Sequence, residues 1–254
     1  MKGAYTMNTI LKVNSITKTY KGQQPSLDKV SFNVSEGEFI GIMGASGSGK
    51  TTLLNVLSTI DKPTSGDIFI NNINLKSLND TNAADFRKDN LGFIFQEYFL
   101  LDSLTTFENI SVPLTLQKLS PDKIEKMVKS LAERFGIASQ LNKYPNELSG
   151  GQRQRTSAVR AIVKQPSILF ADEPTGALDS NSATELLHSL QEANKELKTT
   201  ILMVTHDAYA ASFANRILIF KDGHIIKELN KQQNNRHTFY ELIIQEIAKL
   251  DTKR

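Results

Sequence analysis

The N-terminal part of the chain has the pattern of hydrophobic and polar positions that β-strands produce. Leu11 to Tyr20 and Leu27 to Val34 alternate apolar and polar residues, which is typical of strands buried on one face. Phe39 to Met43 is a continuous apolar run, as expected of a strand buried on both faces. The pattern then predicts a helix over Thr51 to Ile60 and a short strand over Asp67 to Ile70.

The following part, from about Asn79 to Tyr144, has a helical pattern instead. Glu108 to Gln117 and Pro121 to Phe135 are the predicted helices, and Ser120 before Pro121 is a helix start signal. Because this stretch interrupts a pattern of alternating strands and helices, it indicates a helical subdomain inserted into an α/β core.

After Pro145 the α/β pattern returns and continues nearly to the C-terminus. Asp222-Gly223 predicts a hairpin turn between two short strands. The predicted elements are helix Ser149 to Lys164, strand Ile168 to Ala171, helix Ser180 to Leu197, strand Thr200 to Val204, hairpin strands Ile217 to Phe220 and His224 to Glu228, and helix Thr238 to Leu250.

A phosphate-binding loop follows the strand predicted at Phe39 to Met43. The pattern G-x-x-x-x-G-K-[ST] lies between a strand and a helix, which is the context such a loop requires. Glycines let several backbone N–H groups point at phosphate oxygens, and the helix N-terminus adds a positive dipole. Lys50 would supply a charge for the outer phosphates and Thr51 a hydroxyl ligand for Mg²⁺. The expected ATP-binding residues are Gly44, Ala45, Ser46, Gly47, Ser48, Gly49, Lys50, Thr51 and Thr52.

Two carboxylates end the strand predicted at Ile168 to Ala171. Asp172 is expected to hold Mg²⁺, directly or through water, and Glu173 to orient and polarise the attacking water. In parallel α/β sheets the reactive groups lie at the carboxyl ends of strands, where this pair falls. A protein that only bound nucleotide could omit Glu173, so its presence favours hydrolysis.

A second anion-binding element opens the helix predicted from Ser149. Leu148, Ser149, Gly150, Gly151 and Gln152 place small residues and bare backbone amides at a helix start. One nucleotide does not need two such elements on one face. We therefore expect this segment to contact the γ-phosphate of a nucleotide held by a second copy of the chain.

This five-residue string, downstream of a phosphate loop and ahead of an acidic-ended strand, resembles the signature motif of the ABC ATPases. The resemblance runs from about Leu11 to Gly223. It implies a P-loop NTPase core of the ABC ATPase type, with an N-terminal antiparallel β subdomain and an inserted α-helical subdomain at about 97–165. The ATP-binding domain would then span 8–229, with an N-terminal extension at 1–7 and a C-terminal helical tail at 230–254.

Four further residues match motifs of that family in the family's order. Tyr20 matches the aromatic residue that stacks on adenine, and Gln96 matches the Q-loop glutamine, which contacts Mg²⁺ and the transporter interface. Asp179 matches the D-loop aspartate, and His206 the switch histidine that contacts the γ-phosphate.

The resemblance also implies which of these residues bind Mg²⁺ and which take part in hydrolysis. Thr51, Gln96 and Asp172 would hold Mg²⁺, while Glu173 and His206 would be catalytic. The cofactors would be ATP and Mg²⁺. The signature segment would act in trans within a homodimer, which ATP closes and hydrolysis opens.

Several segments most resemble the bacitracin-export type within the MacB/lipoprotein-release/cell-division branch: Asn90 to Tyr98, Leu100 to Asp102, Lys143 to Glu147 and Phe170 to Ser180. This resemblance implies a motor subunit of a bacterial transporter that drives a separate integral-membrane permease. The system would export or remove peptide antibiotics such as bacitracin and signal to a sensor kinase through the permease. The chain would lie on the cytoplasmic face of the bacterial cell membrane.

A docking surface for the permease is expected just after Gln96. The apolar and aromatic residues Tyr98 to Leu101, together with Phe107, follow that glutamine, at the point where the family docks its membrane protein. The other interpretation of these residues is that they form the core of the inserted helices.

Alternatives to the transporter interpretation differ in how well they fit. The ATPase of a lipoprotein-release or cell-division-type mechanotransmission complex would carry the same cassette, so that alternative stays open. An ABC protein acting on DNA or ribosomes is disfavoured, because only 52 positions separate Gln96 from Leu148 and the chain has one cassette. A module that binds nucleotide without turnover is disfavoured by Glu173 and His206.

Composition removes some classes of chemistry. There is no cysteine, so disulfides, thiolate metal sites and cysteine nucleophiles are excluded. The net charge of +3 is too small to indicate nucleic acid as a partner. The longest apolar runs are strand-length, far short of the roughly 20 residues that a membrane span requires. The sequence leaves open whether Met1 or Met7 is the native start.

Overall fold

The computed structural model describes residues 8–22 and 24–251, with the side chains of Leu250 and Asp251 excepted. The predicted N-terminal extension at 1–7, with the choice between Met1 and Met7, lies outside the described residues, as does the end of the predicted tail at 252–254.

Strands and helices alternate along most of the described chain. The strands are β1 (Thr9–Lys18), β2 (Leu27–Ser35), β3 (Phe39–Met43), β4 (Ser65–Ile70), β5 (Ile73–Asn74), β6 (Leu91–Ile94), β7 (Ile168–Asp172), β8 (Ile201–Thr205), β9 (Arg216–Lys221) and β10 (His224–Asn230). The helices are α1 (Lys50–Leu57), α2 (Asp80–Asn90), α3 (Thr106–Leu116), α4 (Pro121–Arg134), α5 (Gly150–Ile162), α6 (Ser180–Leu197), α7 (Ala208–Ala211) and α8 (Arg236–Asp251).

The strands form two sheets. The six-stranded sheet has the order β10-β9-β3-β8-β7-β6, and its β9, β3, β8, β7 and β6 run parallel. Strands β3 and β8 are buried along their whole length, because helices or the second sheet cover both faces. The second sheet is antiparallel, with the order β2-β1-β4-β5.

The alternation of side chains along β3 divides the apolar core into two layers. Ile40 and Ile42 pack with α1 and the antiparallel sheet. Phe39 and Met43 point to the opposite face and pack with residues of α3 to α6 and α8. The six-stranded sheet therefore lies in the middle of the molecule, and the carboxyl ends of its parallel strands form one edge.

Helix α2 was not predicted from the sequence. Only Ala83 and Phe86 of this helix are buried, so it lacks the apolar stripe on which a helix prediction depends. Its start is marked by Asn79, whose side chain accepts a hydrogen bond from the backbone N–H of Asn82.

The inserted helices are organised around α5, which packs against α3, α4, α6 and β6. The C-terminal helix α8 packs on its own domain, since Phe239 and Ile243 are fully buried in the same core. Leu250, predicted on the same face of this helix, has no described side chain. No helix in the described ranges has the length and hydropathy needed to cross a bilayer.

Candidate active site

A cleft of about 620 Å³ lies at the carboxyl ends of β3, β7 and β8. The connections that follow parallel strands meet at this edge, which is where α/β proteins place ligands. It brings together most of the predicted phosphate-loop residues with both carboxylates, Gln96 and His206. The lining consists of Ser26, Ala45, Ser46, Gly47, Gly49, Lys50, Thr51, Thr52, Gln96, Asp172, Glu173, Val204 and His206.

The phosphate loop joins β3 to α1 and has no room for larger residues at two glycines. Gly49 caps α1 with a φ of 103°, a left-handed conformation that glycine adopts readily. A Cβ atom at Gly49 would also lie 2.3 Å from the carbonyl oxygen of Ser26. At Gly44 a Cβ atom would lie 2.2 Å from the carbonyl oxygen of Phe220. The loop is therefore packed tightly between the antiparallel sheet and β9.

Lys50 lies inside this loop. Its ammonium group donates hydrogen bonds to the carbonyl oxygens of Gly44 and Ala45, both at 2.8 Å. Burial lowers the pKa of Lys50, and the nearby carboxylates of Glu173 and Asp172 oppose that shift. These bonds hold a mostly buried cation at the floor of the cleft, where it is placed to meet an anionic ligand.

Asp172 is the carboxylate at the end of β7. Burial raises its pKa, the neighbouring Glu173 raises it further, and Lys50 lowers it. The charged form of Asp172 is therefore short of stabilising partners, and a cation would supply one. Together with the oxygen atoms of Thr51 and Gln96 in the same cleft, this is a set of hard oxygen donors of the kind that Mg²⁺ prefers.

No group of three or more His, Cys, Asp and Glu side chains in the described parts of the chain could hold a metal by itself. That agrees with Mg²⁺ in nucleotide sites, which is bound by one or two carboxylates together with phosphates and water. The residues present fit the ion.

Glu173 and His206 contact each other across the cleft. The imidazole Nδ1 of His206 lies 2.9 Å from Oε1 of Glu173. Glu173 has a φ of 45°, an unusual conformation for a residue with a side chain, which costs about 1–2 kcal/mol. Its N–H donates to the carbonyl oxygen of Val204 at 2.9 Å, so the neighbouring strand β8 holds the strained residue in place. Such strain at a cleft is typical of functional positions.

Gln96 follows β6 and is exposed at the cleft, next to Gly176. A Cβ atom at Gly176 would lie 3.2 Å from the Gln96 side-chain amide, so the two segments are in close contact. The segment that carries Gln96 is thus held against the segment that follows the two carboxylates.

Tyr20 lies beside the cleft and is not part of its lining. Its hydroxyl donates to Oδ2 of Asp61 at 2.9 Å and also interacts with the side chain of Thr52, which does line the cleft. The ammonium of Lys18 lies 4.9 Å from the centre of the ring. Stacking on adenine stays a prediction.

The signature residues and Asp179 lie outside the cleft. Ser149 caps α5, its hydroxyl accepting from the N–H of Gln152 while its own N–H donates to the Gln152 side chain. Asp179 caps α6 by accepting from the N–H groups of Asn181 and Ser182, and these bonds lower its pKa. Within one chain, none of the residues from Leu148 to Gln152 belongs to the cleft lining.

Three positions at the site were not predicted as site residues: Ser26, Val204 and Gln154. Ser26 lines the cleft because β2 passes beside the phosphate loop, and no local pattern in the sequence marks that contact. Gln154 is buried on α5 and bonds to the segments that carry Gln96 and Glu173. Its position in the sequence is one turn after Gly150, and its neighbours Thr156 and Ser157 on the helix are polar and buried as well, so no pattern singles it out.

Comparison with known proteins adds independent information. The family model described as "ABC transporter" matches residues 27–176. The chain is 48% identical over 246 residues to the ABC transporter ATP-binding protein YxdL of Bacillus subtilis, covering 96% of this chain and 95% of that protein. It is 50% identical over 238 residues to the bacitracin export ATP-binding protein BceA of Halalkalibacterium halodurans, covering 92% and 94%.

The solved structures include the dimeric cassette MJ0796, with a TM-score of 0.79 and 39% identity over 87% of this chain and 98% of that one. A second MJ0796 structure is a dimeric post-hydrolysis state bound to ADP and phosphate. The predicted α/β fold, with its antiparallel subdomain and inserted helices, is confirmed by this likeness.

Proposed function

The chain belongs to the ABC transporter family and is an ATPase subunit of that type. We propose that it acts as a homodimer that drives a separate membrane permease. The observation that carries the proposal is the division of the site. One cleft gathers the phosphate loop and both carboxylates, while the second anion-binding segment is held elsewhere on the same chain.

Within the cleft each group has a distinct task. Lys50 meets the outer phosphates of ATP, in exchange for its present bonds to two loop carbonyls. Thr51, Asp172 and Gln96 would hold Mg²⁺, which supplies charge neutralisation on the phosphate oxygens. Tyr20 is assigned to the adenine, beside Thr52.

Glu173 orients and polarises the attacking water. His206 contacts both oxygens of the carboxylate, with Nδ1 at 2.9 Å from Oε1 and the backbone N–H donating to Oε2 at 3.4 Å, and these contacts fix its direction. The His206 side chain is 69% exposed, so its ring is available to the γ-phosphate. This arrangement explains why the backbone strain at Glu173 is tolerated, since it aims the carboxylate into the cleft.

The second half of the site comes from a second copy. Helix α5 begins at Gly150, and its first backbone N–H groups, with the dipole of the helix, favour an anion. Ser149, Gly150 and Gly151 therefore contact the γ-phosphate of the partner's nucleotide, and Asp179 lies at the same interface. ATP joins the two copies, and hydrolysis removes the contact that holds them together.

Docking of the permease rests on the segment after Gln96. The side chain of Phe99 is 63% exposed and that of Leu101 is 50% exposed, although both are large and apolar. Arg160 holds the segment by donating to the carbonyl oxygens of Tyr98 and Phe99. Phe107 packs instead against the core of the inserted helices, so the predicted docking residues divide into an exposed group and a structural one.

The transported or extracted molecule is a peptide antibiotic such as bacitracin, acted on at the cell membrane. This step rests on the similarity to the bacitracin export protein and on the matching segments named above. The chain then lies on the cytoplasmic face of the bacterial membrane, held by its permease. Signalling to a sensor kinase would pass through the permease.

The test is expression of the chain with its natural permease in a Gram-positive host that is sensitive to bacitracin. Wild-type protein should raise the inhibitory concentration, and both Lys50→Ala and Glu173→Gln should abolish that increase. A wild-type pair that hydrolyses ATP but confers no resistance to any cell-wall-active peptide would overturn the substrate assignment. A four-span partner would instead support the mechanotransmission alternative.

A further inference from the structure

Gln154 is a buried polar residue that none of the motifs accounts for. It lies on α5, one turn after the signature glycine Gly150, and only 1% of its surface is exposed. Its amide nitrogen donates to the carbonyl oxygen of Phe95 at 3.0 Å and to that of Pro174 at 2.6 Å. Both acceptors are backbone carbonyls, so the NH₂ group must face them, and the orientation of the amide is fixed.

These two carbonyls belong to the two segments that carry the chemistry. Phe95 immediately precedes Gln96, and Pro174 immediately follows Glu173. The segments approach each other at Gly176, against the side chain of Gln96. One side chain on the signature helix therefore ties the glutamine of the cleft to its catalytic carboxylate.

The tie bears on the strained conformation of Glu173. The N–H of Glu173 donates to the carbonyl oxygen of Val204 in β8, and the carbonyl oxygen of the next residue, Pro174, accepts from Gln154. The carbonyl oxygen of Glu173 also accepts from the N–H of Gly176 at 3.0 Å, so loss of the Gln154 bond removes one of the contacts that hold the segment after Glu173 and should loosen the aim of the carboxylate. The side-chain oxygen of Gln154 is buried and accepts no hydrogen bond from the described residues, so these two donated bonds define its role.

We infer that Gln154 is a positioning residue for ATP hydrolysis, which transmits the position of the signature helix to Gln96 and Glu173 of the same chain. The inference rests on the proposed function. When the nucleotide of the partner copy pulls on the start of α5, Gln154 moves with the helix and carries both carbonyls with it. Each copy thus senses occupation of the partner's site through its own Gln154.

Asn194 provides a matched control in the same chain. It is also buried, and its amide likewise donates to two backbone carbonyls, those of Gly37 at 2.9 Å and Thr199 at 2.8 Å. Those acceptors precede β3 and β8, at the opposite end of the sheet from the cleft. Replacing either amide with an apolar side chain of similar size removes the same number and kind of hydrogen bonds.

The experiment compares Gln154→Met with Asn194→Leu in the complex with the permease, by steady-state phosphate release and by binding of a fluorescent ATP analogue. Thermal unfolding should show similar losses of stability in the two variants. Gln154→Met should lower kcat by about tenfold or more, because a displaced catalytic group of this kind typically costs one to two orders of magnitude. Its affinity for ATP should stay within about twofold of wild type, since the phosphate loop is untouched. Asn194→Leu should keep the wild-type kcat.

A milder variant covers the case in which Gln154→Met does not fold. Gln154→Asn keeps the amide but is too short to reach both carbonyls, and it should also lower kcat at unchanged ATP affinity. If every folded Gln154 variant keeps the wild-type kcat, or loses no more of it than Asn194→Leu, the inference is overturned. A wild-type complex that hydrolyses no ATP would overturn the proposed function itself, and this inference with it.

Discussion

Gly151 packs closely within its own chain and is also proposed to contact the nucleotide of the partner copy, and the two roles can be tested separately. In the structure a Cβ atom at Gly151 would lie 2.6 Å from Oγ and 2.9 Å from Cβ of Ser182, at the start of α6. Carbon atoms pack at about 3.5–4.0 Å, so Gly151→Ala must separate the starts of α5 and α6 by roughly 0.5–1 Å. Overpacking of this kind typically destabilises a protein by about 1–3 kcal/mol.

Removing the opposing side chain should relieve that cost. Ser182→Gly alone should destabilise by about 0.5–1 kcal/mol, because glycine weakens a helix. In the double variant the two effects should not add, and the coupling energy should recover most of the 1–3 kcal/mol that Gly151→Ala costs, within the range of about 0.5–3 kcal/mol measured for residues in contact. Urea unfolding of the four proteins at one pH measures this cycle.

Hydrolysis should respond differently from stability. If Gly151 presents its bare backbone to the partner's γ-phosphate, Gly151→Ala should lose hydrolysis, and Ser182→Gly should not restore it. The assay is phosphate release with the permease present, for the same four proteins. A double variant as active as Ser182→Gly alone would refute the role in trans, since Gly151 would then serve only to make room within its own chain. A Gly151→Ala protein as stable as wild type would refute the packing argument.

Three other predictions follow from the described contacts. Phe99→Ala should weaken co-purification with the permease by about tenfold or more, as loss of an exposed aromatic anchor does. The control is Leu116→Ala, which removes a side chain of similar exposure at the end of α3 and should leave co-purification unchanged. Equal effects of the two substitutions would contradict the docking surface. Burial lowers the pKa of Lys164 to about 8. Between about pH 8 and pH 10.5 the unfolded chain therefore binds one more proton than the folded chain, and the free energy of unfolding should rise over this window by about 1–3 kcal/mol relative to Lys164→Met, after allowance for partial exposure. Parallel pH profiles of the two proteins in urea unfolding would contradict this prediction. Glu173→Gln should bind ATP with wild-type affinity and release phosphate at least about 100-fold more slowly, as expected when a group that acts only in the transition state is removed; wild-type turnover in a phosphate-release assay would exclude the assigned role.

Local patterns in the sequence were sufficient for most of the strands and long helices. Helix α6 has the predicted bounds, Ser180–Leu197, and β3 is the predicted strand Phe39–Met43. These elements have strong apolar periodicity or a continuous apolar run, and both can be read from the sequence itself. Helix α2 was missed, because only two of its residues are buried and its signal is the cap at Asn79.

Contacts between distant segments could not be predicted in the same way. The conformation of Glu173, with its positive φ, depends on its bond to Val204 and on the bond between Pro174 and Gln154, and both Val204 and Gln154 are distant from Glu173 in sequence. The same holds for Gln154, since a single glutamine on a helix does not indicate which carbonyls it meets. Motifs predicted which residues belong to the cleft. The hydrogen bonds that orient these residues are tertiary contacts, which a local pattern does not indicate.

Tyr20 shows that a motif match does not predict the hydrogen bonds of the matched residue. A motif match predicts that Tyr20 stacks on adenine, which stays a prediction, whereas the bond of its hydroxyl to Asp61 beside the cleft had no signal in the sequence. Phe99, Leu101 and the partly buried Phe107 were predicted together as one docking group. Only the fold separates the side chains that can reach a partner from those that pack inward.

One chain carries halves of two different sites, and a second copy completes both. Sedimentation velocity of Glu173→Gln with ATP and with ADP tests it most directly, because this variant should hold ATP without hydrolysing it. We expect a dimer with ATP and a monomer with ADP, and loss of the ATP-dependent dimer when Ser149→Arg is added. A monomer with ATP, both for the protein alone and after the permease is supplied, would contradict the claim.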